Sequence, residues 1–292
     1  MKRLLVALIL SVLLIGCTAS QGGAPAASNK LQLKGSDTEL QMFAALAEEF
    51  KKTNADVDIT VTGGGSGTGI AALINGEIDI ADSSRPMKPE EIEKAKVNGI
   101  EPVEFIIARD GLAVIVHPDN PVGELTRAQV ADIYTGKITN WKDVGGNDDA
   151  ITLYGRQSTS GTYVYFRDTV LKADYASTMR NMEGTSAIVD AVQADKTGIG
   201  YVGIGYLTPE VKALTLEGQN PTDKAAVASG AYVLTRPLFQ YTKGVPAKNG
   251  PTHKLMLFQL SAPGQKVVES TGFLQVTSAD AAANEKQLAR IG

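Results

Sequence analysis

The sequence predicts an α/β protein, because short segments with strand character alternate with segments of helical periodicity. Residues 31–34 and 57–61 alternate apolar and polar side chains, as strands do, and residues 78–81 form a third such segment. Strands separated by helices predict a parallel sheet with right-handed connections. Ligands of such sheets bind beyond the carboxyl ends of the strands, so the loops after the strands are the expected place for a site.

The helices between these strands are indicated by their spacing and their end signals. Apolar residues recur at helical spacing over 40–50, and Ser36 with Glu39 forms a Ser-x-x-Glu capping box before them. A glycine-rich turn leads into a second predicted helix. Pro89 in the first turn and Gly99 after the end delimit a third.

The middle of the chain is expected to form a second lobe. Apolar strands at 105–108 and 112–117 are interrupted by the polar segment 109–111, which predicts a first crossing between lobes. A second crossing is expected at 232–236. The remaining predicted elements are a helix capped by Thr126 and ending at Tyr134, a strand at 151–156, helices at 162–171 and 186–194, a strand at 198–202, and helices near 254–260 and 279–291. The first lobe would comprise residues 31–110 and 235–292, and the second lobe residues 111–234.

Three short turns rich in glycine and hydroxyl residues each open a predicted helix. They are Gly35-Ser36-Asp37-Thr38, the glycine-rich segment 63–69, and the segment 156–162, which begins with Arg156. A helix N-terminus leaves backbone N–H groups unpaired and carries a partial positive charge, so it can bind an anion. Glycine allows close approach of the backbone, and hydroxyls add donors without net charge. Three such turns with one arginine predict a pocket for a small tetrahedral oxyanion.

The first residues predict export and a lipid anchor. A basic start precedes an apolar run at 4–15, which is shorter than the roughly 20 residues that cross a bilayer. The following Leu-Ile-Gly-Cys17 resembles the bacterial lipobox, in which the cysteine is lipidated and becomes the new N-terminus. We therefore predict a signal peptide at 1–16, a lipid that includes palmitate on Cys17, and a flexible tether over 17–30. An ordinary signal peptide with an incidental cysteine is the alternative.

The charge balance argues against nucleic acid as a partner. Removing Lys2 and Arg3 with the signal takes two from the 28 basic residues of the chain, against 32 acidic residues. The sequence therefore has no basic stripe to neutralise the phosphates of a strand. Because the whole protein is acidic, an anion must be captured by local dipoles and one or two cations.

Five motifs together resemble the substrate-binding protein of phosphate-specific ABC transporters. They are Gly35-Ser-Asp-Thr38, Gly64-Gly-Ser-Gly-Thr-Gly-Ile-Ala-Ala-Leu73, Ile78-Asp-Ile-Ala-Asp-Ser-Ser-Arg-Pro86, Ile133-Tyr-Thr-Gly-Lys-Ile-Thr-Asn-Trp141 and Arg156-x-x-x-Ser160-Gly-Thr162. Arginine followed by Ser-Gly-Thr at a helix start is the most specific of them, and together they cover nearly the whole mature chain. The resemblance implies a two-lobed periplasmic-binding-protein-like (type II) fold, whose two hinge strands let the lobes close over an anion without covalent chemistry.

The resemblance also implies ligand residues and partners. Phosphate would be bound by Ser36, Asp37, Thr38, Ser66 and Ser84 from the first lobe, and by Arg156, Ser160, Gly161 and Thr162 from the second. The implied partners are inorganic phosphate, the permease subunits of an ABC transporter, and the membrane through the lipid anchor. The protein would be a monomer facing the periplasm or the exterior, with no cofactor, no metal and no bound nucleic acid.

Asp37 marks a departure from part of that family. Some members place an aspartate where Ser84 stands here, and its carboxylate accepts the proton that phosphate still carries near neutral pH. Sulfate lacks this proton, so a buried carboxylate repels it without any hydrogen bond in return. Those members have threonine at the position of Asp37. We therefore expect the acceptor to have moved to Asp37, with Asp82 or a network of hydroxyls as alternatives.

Several other residues carry expectations of their own. Arg156 is expected to clamp the anion with two parallel hydrogen bonds. Ser66 is expected to cap its helix as well as to bind the anion. Arg85 either lines the cleft or pairs with Asp82, and Trp141 and Tyr201 are expected in the core.

Other classes of function remain open. A phosphatase or hydrolase would need a base beside a nucleophilic Ser66 or Ser160, and the two histidines, His117 and His253, lack the spacing of a triad. A sensor lipoprotein would use the same closure for signalling. Among binding proteins, sulfate, molybdate and tungstate are alternatives to phosphate, because the same helix dipoles would hold any tetrahedral oxyanion.

Overall fold

Strands and helices alternate at the start of the computed structural model, which describes residues 29–291. The elements there are β1 (Lys30–Gly35), α1 (Leu40–Lys51), β2 (Asp58–Thr62), α2 (Ser66–Ile74), β3 (Ile80–Ser83) and α3 (Pro89–Val97). The three predicted strands and three predicted helices of this region are confirmed, with some ends shifted by a few residues. The predicted signal peptide, Cys17 and nearly all of the tether lie outside the described residues.

A long strand, β4 (Pro102–Val116), separates this region from a second group of elements. That group contains β5 (Glu124–Leu125), α4 (Arg127–Tyr134), β6 (Thr152–Arg156), α5 (Gly161–Phe166), β7 (Arg180–Met182), α6 (Thr185–Ala194), β8 (Gly198–Gly203), β9 (Lys212–Ala213), β10 (Thr215–Leu216) and α7 (Lys224–Ser229). The chain then returns through β11 (Thr235–Lys243) and ends with α8 (Pro251–Leu260), α9 (Ala262–Ser270) and α10 (Ser278–Leu288). The predicted cap of α4 is confirmed, because Thr126 Oγ1 accepts from Gln129 N.

Among the described residues, nine strands form one curled, mixed sheet in the order β2-β1-β3-β11-β4-β8-β6-β7, with β9 beside β4, and β5 pairs separately with β10. β1 pairs in parallel with β2 and β3, and β6 pairs in parallel with β7 and β8. β11 is antiparallel to β3 and β4, and β4 is antiparallel to β8. The expected parallel pairing therefore holds at the two ends of the sheet. It is wrong for the two central strands, which carry the chain between lobes in opposite directions.

The predicted break in the middle of the chain is wrong, because β4 is continuous. Its residues up to Gly111 pair with β11, and its residues from Leu112 pair with β8. The polar side chains that suggested a break between two strands instead form ion pairs. Arg109 binds Asp280, and Asp110 binds a second arginine described below. The partner of β4 therefore changes between Gly111 and Leu112. The terms first lobe and second lobe refer to the predicted residue ranges, whose bounds stay a prediction.

The predicted capping box of α1 is also wrong. The helix begins at Leu40, and Glu39 precedes it without a capping hydrogen bond from its side chain. Glu39 N instead donates to Ser36 O at 3.2 Å, closing a turn before the helix. The Glu39 side chain is fully buried, so it is part of the interior rather than of the helix end.

Helix α9 has no counterpart in the prediction, and Pro263 is its second residue. Proline lies here in the first helical turn, where its missing N–H costs no hydrogen bond. Ser261 Oγ caps the helix by accepting from Gly264 N at 3.3 Å. The helix packs on α1 and α8, against one face of the first lobe.

Candidate anion-binding site

Turns after four strands bring hydroxyl groups together between the lobes. Thr38 Oγ1, after β1, lies 2.8 Å from Thr162 Oγ1, after β6. Ser66 Oγ, after β2, lies 3.4 Å from Ser84 Oγ, after β3. Ser84 Oγ in turn lies 3.4 Å from Thr162 Oγ1. All four side chains are buried, and we refer to Thr38, Ser66, Ser84 and Thr162 as the hydroxyl cluster.

Arg156 lies at the end of β6, with only 2 % of its side chain exposed. Nη1 donates to Thr185 Oγ1 at 2.8 Å, while Nη2 donates to Glu183 O at 2.9 Å and to the Asp37 carboxylate. Nε is buried and has no hydrogen-bond partner in residues 29–291. Since a guanidinium has five N–H groups, Nε–H and one N–H of Nη1 remain available to an anion.

Asp37 links three loops of the site. Its Oδ1 accepts from Gly64 N at 2.9 Å, and its Oδ2 accepts from Arg156. Its backbone oxygen accepts from the Tyr206 hydroxyl at 2.6 Å. Both carboxylate oxygens therefore already accept one hydrogen bond, and each keeps a further lone pair. The role of Asp37 as acceptor for a ligand proton stays a prediction.

Ser36 and Ser160, two further predicted ligands, are also buried. Ser36 N donates to Asp82 O at 3.0 Å, which fixes the turn after β1 against β3. Ser160 Oγ accepts from Tyr163 N at 3.3 Å and so caps α5. Ser36 therefore begins the turn that carries Thr38, and Ser160 ends the turn before Thr162.

The start of α2 differs from the prediction that Ser66 is its cap. Gly65 occupies that position with a φ of 91°, a conformation that favours glycine. Ser66 is the first helical residue, and its Oγ accepts from Ser84 N at 3.1 Å. The prediction is wrong by one residue, because the helix is preceded by a glycine that provides no side-chain cap, and Ser66 Oγ binds Ser84 N instead.

Gly161 permits the two lobes to touch at the hydroxyl cluster. A Cβ atom at this position would lie 2.3 Å from Ser66 Oγ and 2.7 Å from Ser84 Oγ, closer than packed atoms allow. Beside it, Gly67 N donates to Thr159 O at 2.8 Å. The N-terminus of α2 and the turn before α5 are therefore in direct backbone contact.

Four residues of the site's immediate surroundings were not predicted as part of it. Thr185 accepts from Arg156, and Tyr206 donates to the backbone oxygen of Asp37. Arg236 Nη2 donates to Thr162 Oγ1 at 3.1 Å, and its Nε and Nη2 donate to Asp110 Oδ2 at 3.0 and 2.8 Å. The one signal in the sequence was that Asp110 and Arg236 both fall in the predicted crossings.

Three buried carboxyl groups lie behind the site. Burial raises the pKa of Asp82 to about 7, although Gln240 Nε2 donates to its Oδ1 at 2.9 Å. Burial and the negative charge of Asp82 together raise the pKa of Glu39 well above its ordinary value. Burial also raises the pKa of Asp110, against the effect of Arg236. The neutral forms of Glu39 and Asp82 are therefore favoured more than those of exposed carboxyls.

Arg85, Trp141 and Tyr201 lie away from the hydrogen bonds of the hydroxyl cluster. The suggested pair of Arg85 with Asp82 is wrong, because both terminal nitrogens of Arg85 donate to Glu91, at 2.7 and 2.8 Å. Trp141 and Tyr201 are buried in the core of the second lobe, as expected. Among residues 29–291, no group of three or more His, Cys, Asp or Glu side chains is arranged to hold a metal ion.

Comparison with known proteins places the chain in one family. Residues 19–258 match the model of the PBP superfamily domain. The phosphate-binding protein PstS of Staphylococcus epidermidis is 35% identical over 279 residues, which cover 90% of this chain and 85% of the relative.

Similar solved structures belong to the same kind of protein as this relative. A candidate phosphate ABC transporter substrate-binding protein from Clostridium perfringens, solved with bound phosphate, has a TM-score of 0.79 and 34% identity over 85% of this chain and 100% of its own. An ABC-type phosphate transport receptor from Vibrio cholerae has a TM-score of 0.71 and 30% identity over 84% and 100%. With its two-lobed fold, this chain belongs to the family of phosphate-binding proteins of ABC transporters.

Proposed function

We propose that this protein binds inorganic phosphate between its lobes and delivers it to the permease of an ABC transporter. The observation that carries the proposal is the buried set of hydroxyl and N–H donors from both lobes around Arg156. A chain 34% identical to this one has been solved with bound phosphate, which supports the same ligand here.

In this proposal nine residues form the site. Ser36, Asp37, Thr38, Ser66 and Ser84 bind from the first lobe, and Arg156, Ser160, Gly161 and Thr162 bind from the second. The anion first meets one lobe, and closure then adds the donors of the other lobe and expels water. Each well-aligned hydrogen bond to a charged ligand contributes about 1.5–3 kcal/mol, so several together offset the dehydration of a dianion. Asp37 accepts the remaining proton of phosphate through a lone pair that Arg156 and Gly64 leave free.

Delivery depends on a difference in shape between the empty and loaded protein. Closure changes the surface that both lobes present, so a permease with higher affinity for the closed form selects loaded molecules. Within residues 29–291, no helix is both long enough and apolar enough to cross a bilayer. We propose that the protein is held outside the cytoplasmic membrane as a monomer, by a lipid on Cys17.

The lipid anchor has its own test. Full-length protein produced in a bacterial host should partition into the detergent phase of a Triton X-114 extract, and Cys17→Ala should move it to the aqueous phase. The same partitioning for both would refute the anchor without affecting the ligand.

We propose binding without catalysis. His117 Nδ1 accepts from Asp119 N at 3.0 Å, and His253 Nδ1 accepts from Asn249 N at 2.9 Å, so both imidazoles are engaged in local turns. The Ser66 hydroxyl has other hydroxyl and N–H groups as its neighbours, and none of them is a base strong enough to activate it.

The decisive experiment is calorimetric titration of the anion-stripped protein with phosphate, and separately with sulfate and molybdate. Tight one-to-one binding of phosphate with no heat from sulfate is expected. Heat from another oxyanion and none from phosphate would keep the fold and overturn the ligand. Release of phosphate from a monoester under the same conditions would overturn the absence of catalysis.

A further inference from the structure

Arg236 lies where the two hinge strands face each other. It is the second residue of β11, and it pairs in register with Asp110 of β4. Its side chain is 2% exposed and that of Asp110 is 0% exposed. Both Nε and Nη2 donate to Asp110 Oδ2, so the charge of Arg236 is balanced within the hinge. The guanidinium is thus fixed at the point where the lobes join.

From this point Arg236 reaches residues of both lobes. Nη1 donates to Ser84 O at 3.2 Å in the first lobe, and Nη2 donates to Thr162 Oγ1 at 3.1 Å in the second. The guanidinium carbon also lies 5.1 Å from the centre of the Tyr165 ring, within the range of a cation–π contact. The Tyr165 hydroxyl donates to Thr235 O at 3.2 Å. Two residues of α5 are therefore attached to the first two residues of β11.

The contact with Thr162 fixes the direction of its hydroxyl. A guanidinium only donates, so Thr162 Oγ1 must accept from Arg236 and has its single proton left to donate. Ser66 Oγ likewise accepts a hydrogen bond, from Ser84 N, and keeps its proton to donate. Thr38 Oγ1 contacts only another hydroxyl among the described residues, so it can donate or accept. Arg236 thus occupies one acceptor lone pair of Thr162 Oγ1 and leaves the proton of this hydroxyl available to an anion.

We propose that Arg236 is a positioning residue that couples anion binding to closure of the lobes. It directs the Thr162 hydroxyl toward an anion and holds α5 against hinge strand β11, so the bound state and the closed state stabilise each other. The proposal rests on the proposed function in taking the ligand to be phosphate. The hold on α5 is independent of which anion binds.

The test must remove the contact without leaving a buried charge. Arg236→Gln alone would strand the Asp110 carboxylate, which is costly in the interior. The double change Arg236→Gln with Asp110→Asn removes both charges, and we refer to it as the neutral pair. The matched control is the double change Arg109→Gln with Asp280→Asn, which we refer to as the control pair. It also removes a largely buried ion pair, because Arg109 lies next to Asp110 on β4 and donates to Asp280 at the start of α10.

Phosphate affinity is measured first, by calorimetry on the full chain. The neutral pair should weaken phosphate binding by about 10-fold or more, whereas the control pair should change it by less than about 2-fold. Thr162→Val should cost about 10-fold in the wild-type background and less than about 3-fold in the neutral pair, because coupled residues are not additive. Equal losses from Thr162→Val in both backgrounds, or wild-type affinity of the neutral pair, would overturn the proposal.

A second variant and a second readout keep the test decisive. If the neutral pair does not fold, Arg236→Lys keeps a cation opposite Asp110 but cannot reproduce the guanidinium's simultaneous contacts, and the same loss of affinity is expected. Small-angle X-ray scattering of the ligand-free chain should show a larger radius of gyration for either variant than for wild type. Unchanged scattering would overturn the coupling. Wild-type protein that fails to bind phosphate would refute the proposed function alone, since the scattering comparison needs no ligand.

Discussion

Asp37 and Arg156 form an ion pair across the cleft between the lobes, although 119 residues separate them in the chain. Asp37 is 12% exposed and Arg156 is 2% exposed, so the pair is largely shielded from water. Removing one member of such a pair leaves the other charge uncompensated, which costs more than the loss of a surface ion pair. The pair therefore orients the arginine of the site and joins the lobes at the same time.

Asp37→Asn should weaken phosphate binding by about 10- to 100-fold. The amide oxygen can still accept one hydrogen bond, but the charge opposite Arg156 is lost, and a hydrogen bond to a charged group contributes about 1.5–3 kcal/mol. If Asp37 also accepts the ligand proton, the preference for phosphate over sulfate should fall in parallel. Calorimetric titration of the variant with both anions measures the two effects.

Asp58→Asn is the matched control, because this exposed carboxylate of the same lobe has Lys51 only at 4.0 Å. It should leave both affinities unchanged. Reduced phosphate affinity with intact selectivity would assign Asp37 to holding Arg156 alone. The proton acceptor would then be Asp82 or a hydroxyl such as that of Thr38.

Gly161→Ala should abolish tight binding while leaving the fold intact. The added Cβ would lie 2.3 Å from Ser66 Oγ, so the lobes could not approach at the hydroxyl cluster. We expect phosphate affinity to fall about 100-fold or more, with an unchanged circular dichroism spectrum, because the clash is only in the closed form. Gly123→Ala in the same lobe has open space around its Cβ and should bind normally. Normal affinity of Gly161→Ala would show that the lobes need not meet this closely.

Thr185→Val should weaken phosphate binding by about 5- to 20-fold. Thr185 Oγ1 accepts from Arg156 Nη1 at 2.8 Å, and a valine of similar shape would leave that buried N–H without its partner. Thr185→Ser keeps the hydroxyl and should retain most of the affinity. Similar losses for both variants would mean that Thr185 acts through packing rather than through its hydrogen bond. Titration calorimetry of the three proteins distinguishes these outcomes.

The positions of the site turns could be predicted, because they depend on local rules. Strands end at Gly35, Thr62, Ser83 and Arg156, and hydroxyl residues follow each of these ends within a few positions, with glycines after Thr62 and Arg156. Parallel pairing brings the ends of β1, β2 and β3 to one edge of the first lobe. The meeting of Thr38 with Thr162 needs more than this rule, because β6 runs opposite to β1 and the two sets of turns meet only when the lobes face each other.

The partners of these residues could not be predicted, because they are set by long-range pairing. Asp110 and Arg236 are 126 residues apart and meet only when β4 and β11 pair in register. In the sequence, Asp110 lies in a polar interruption of an apolar run, which is the usual mark of a loop. The prediction for Glu39 failed for the same reason. Its spacing from Ser36 fits a capping box, whereas tertiary packing buries its side chain. Local pattern does not distinguish a polar residue in water from one paired in the interior.

Asp82→Asn should stabilise the protein more at pH 8 than at pH 5. Burial raises the pKa of Asp82 from 3.8 to about 7, so between these values the folded protein binds a proton that the unfolded chain does not. The free energy of unfolding therefore falls as pH rises through this window and levels off above about 7. Asparagine stays neutral at every pH, and its Oδ1 can still accept from Gln240. The variant therefore does not lose stability from ionisation at this position as the pH rises. At about 1.4 kcal/mol per pH unit over the two units from pH 5 to 7, the gain should be about 2.5 kcal/mol larger at pH 8. Urea unfolding of both proteins at the two pH values measures it, and an equal gain at both would mean that Asp82 is ionised throughout.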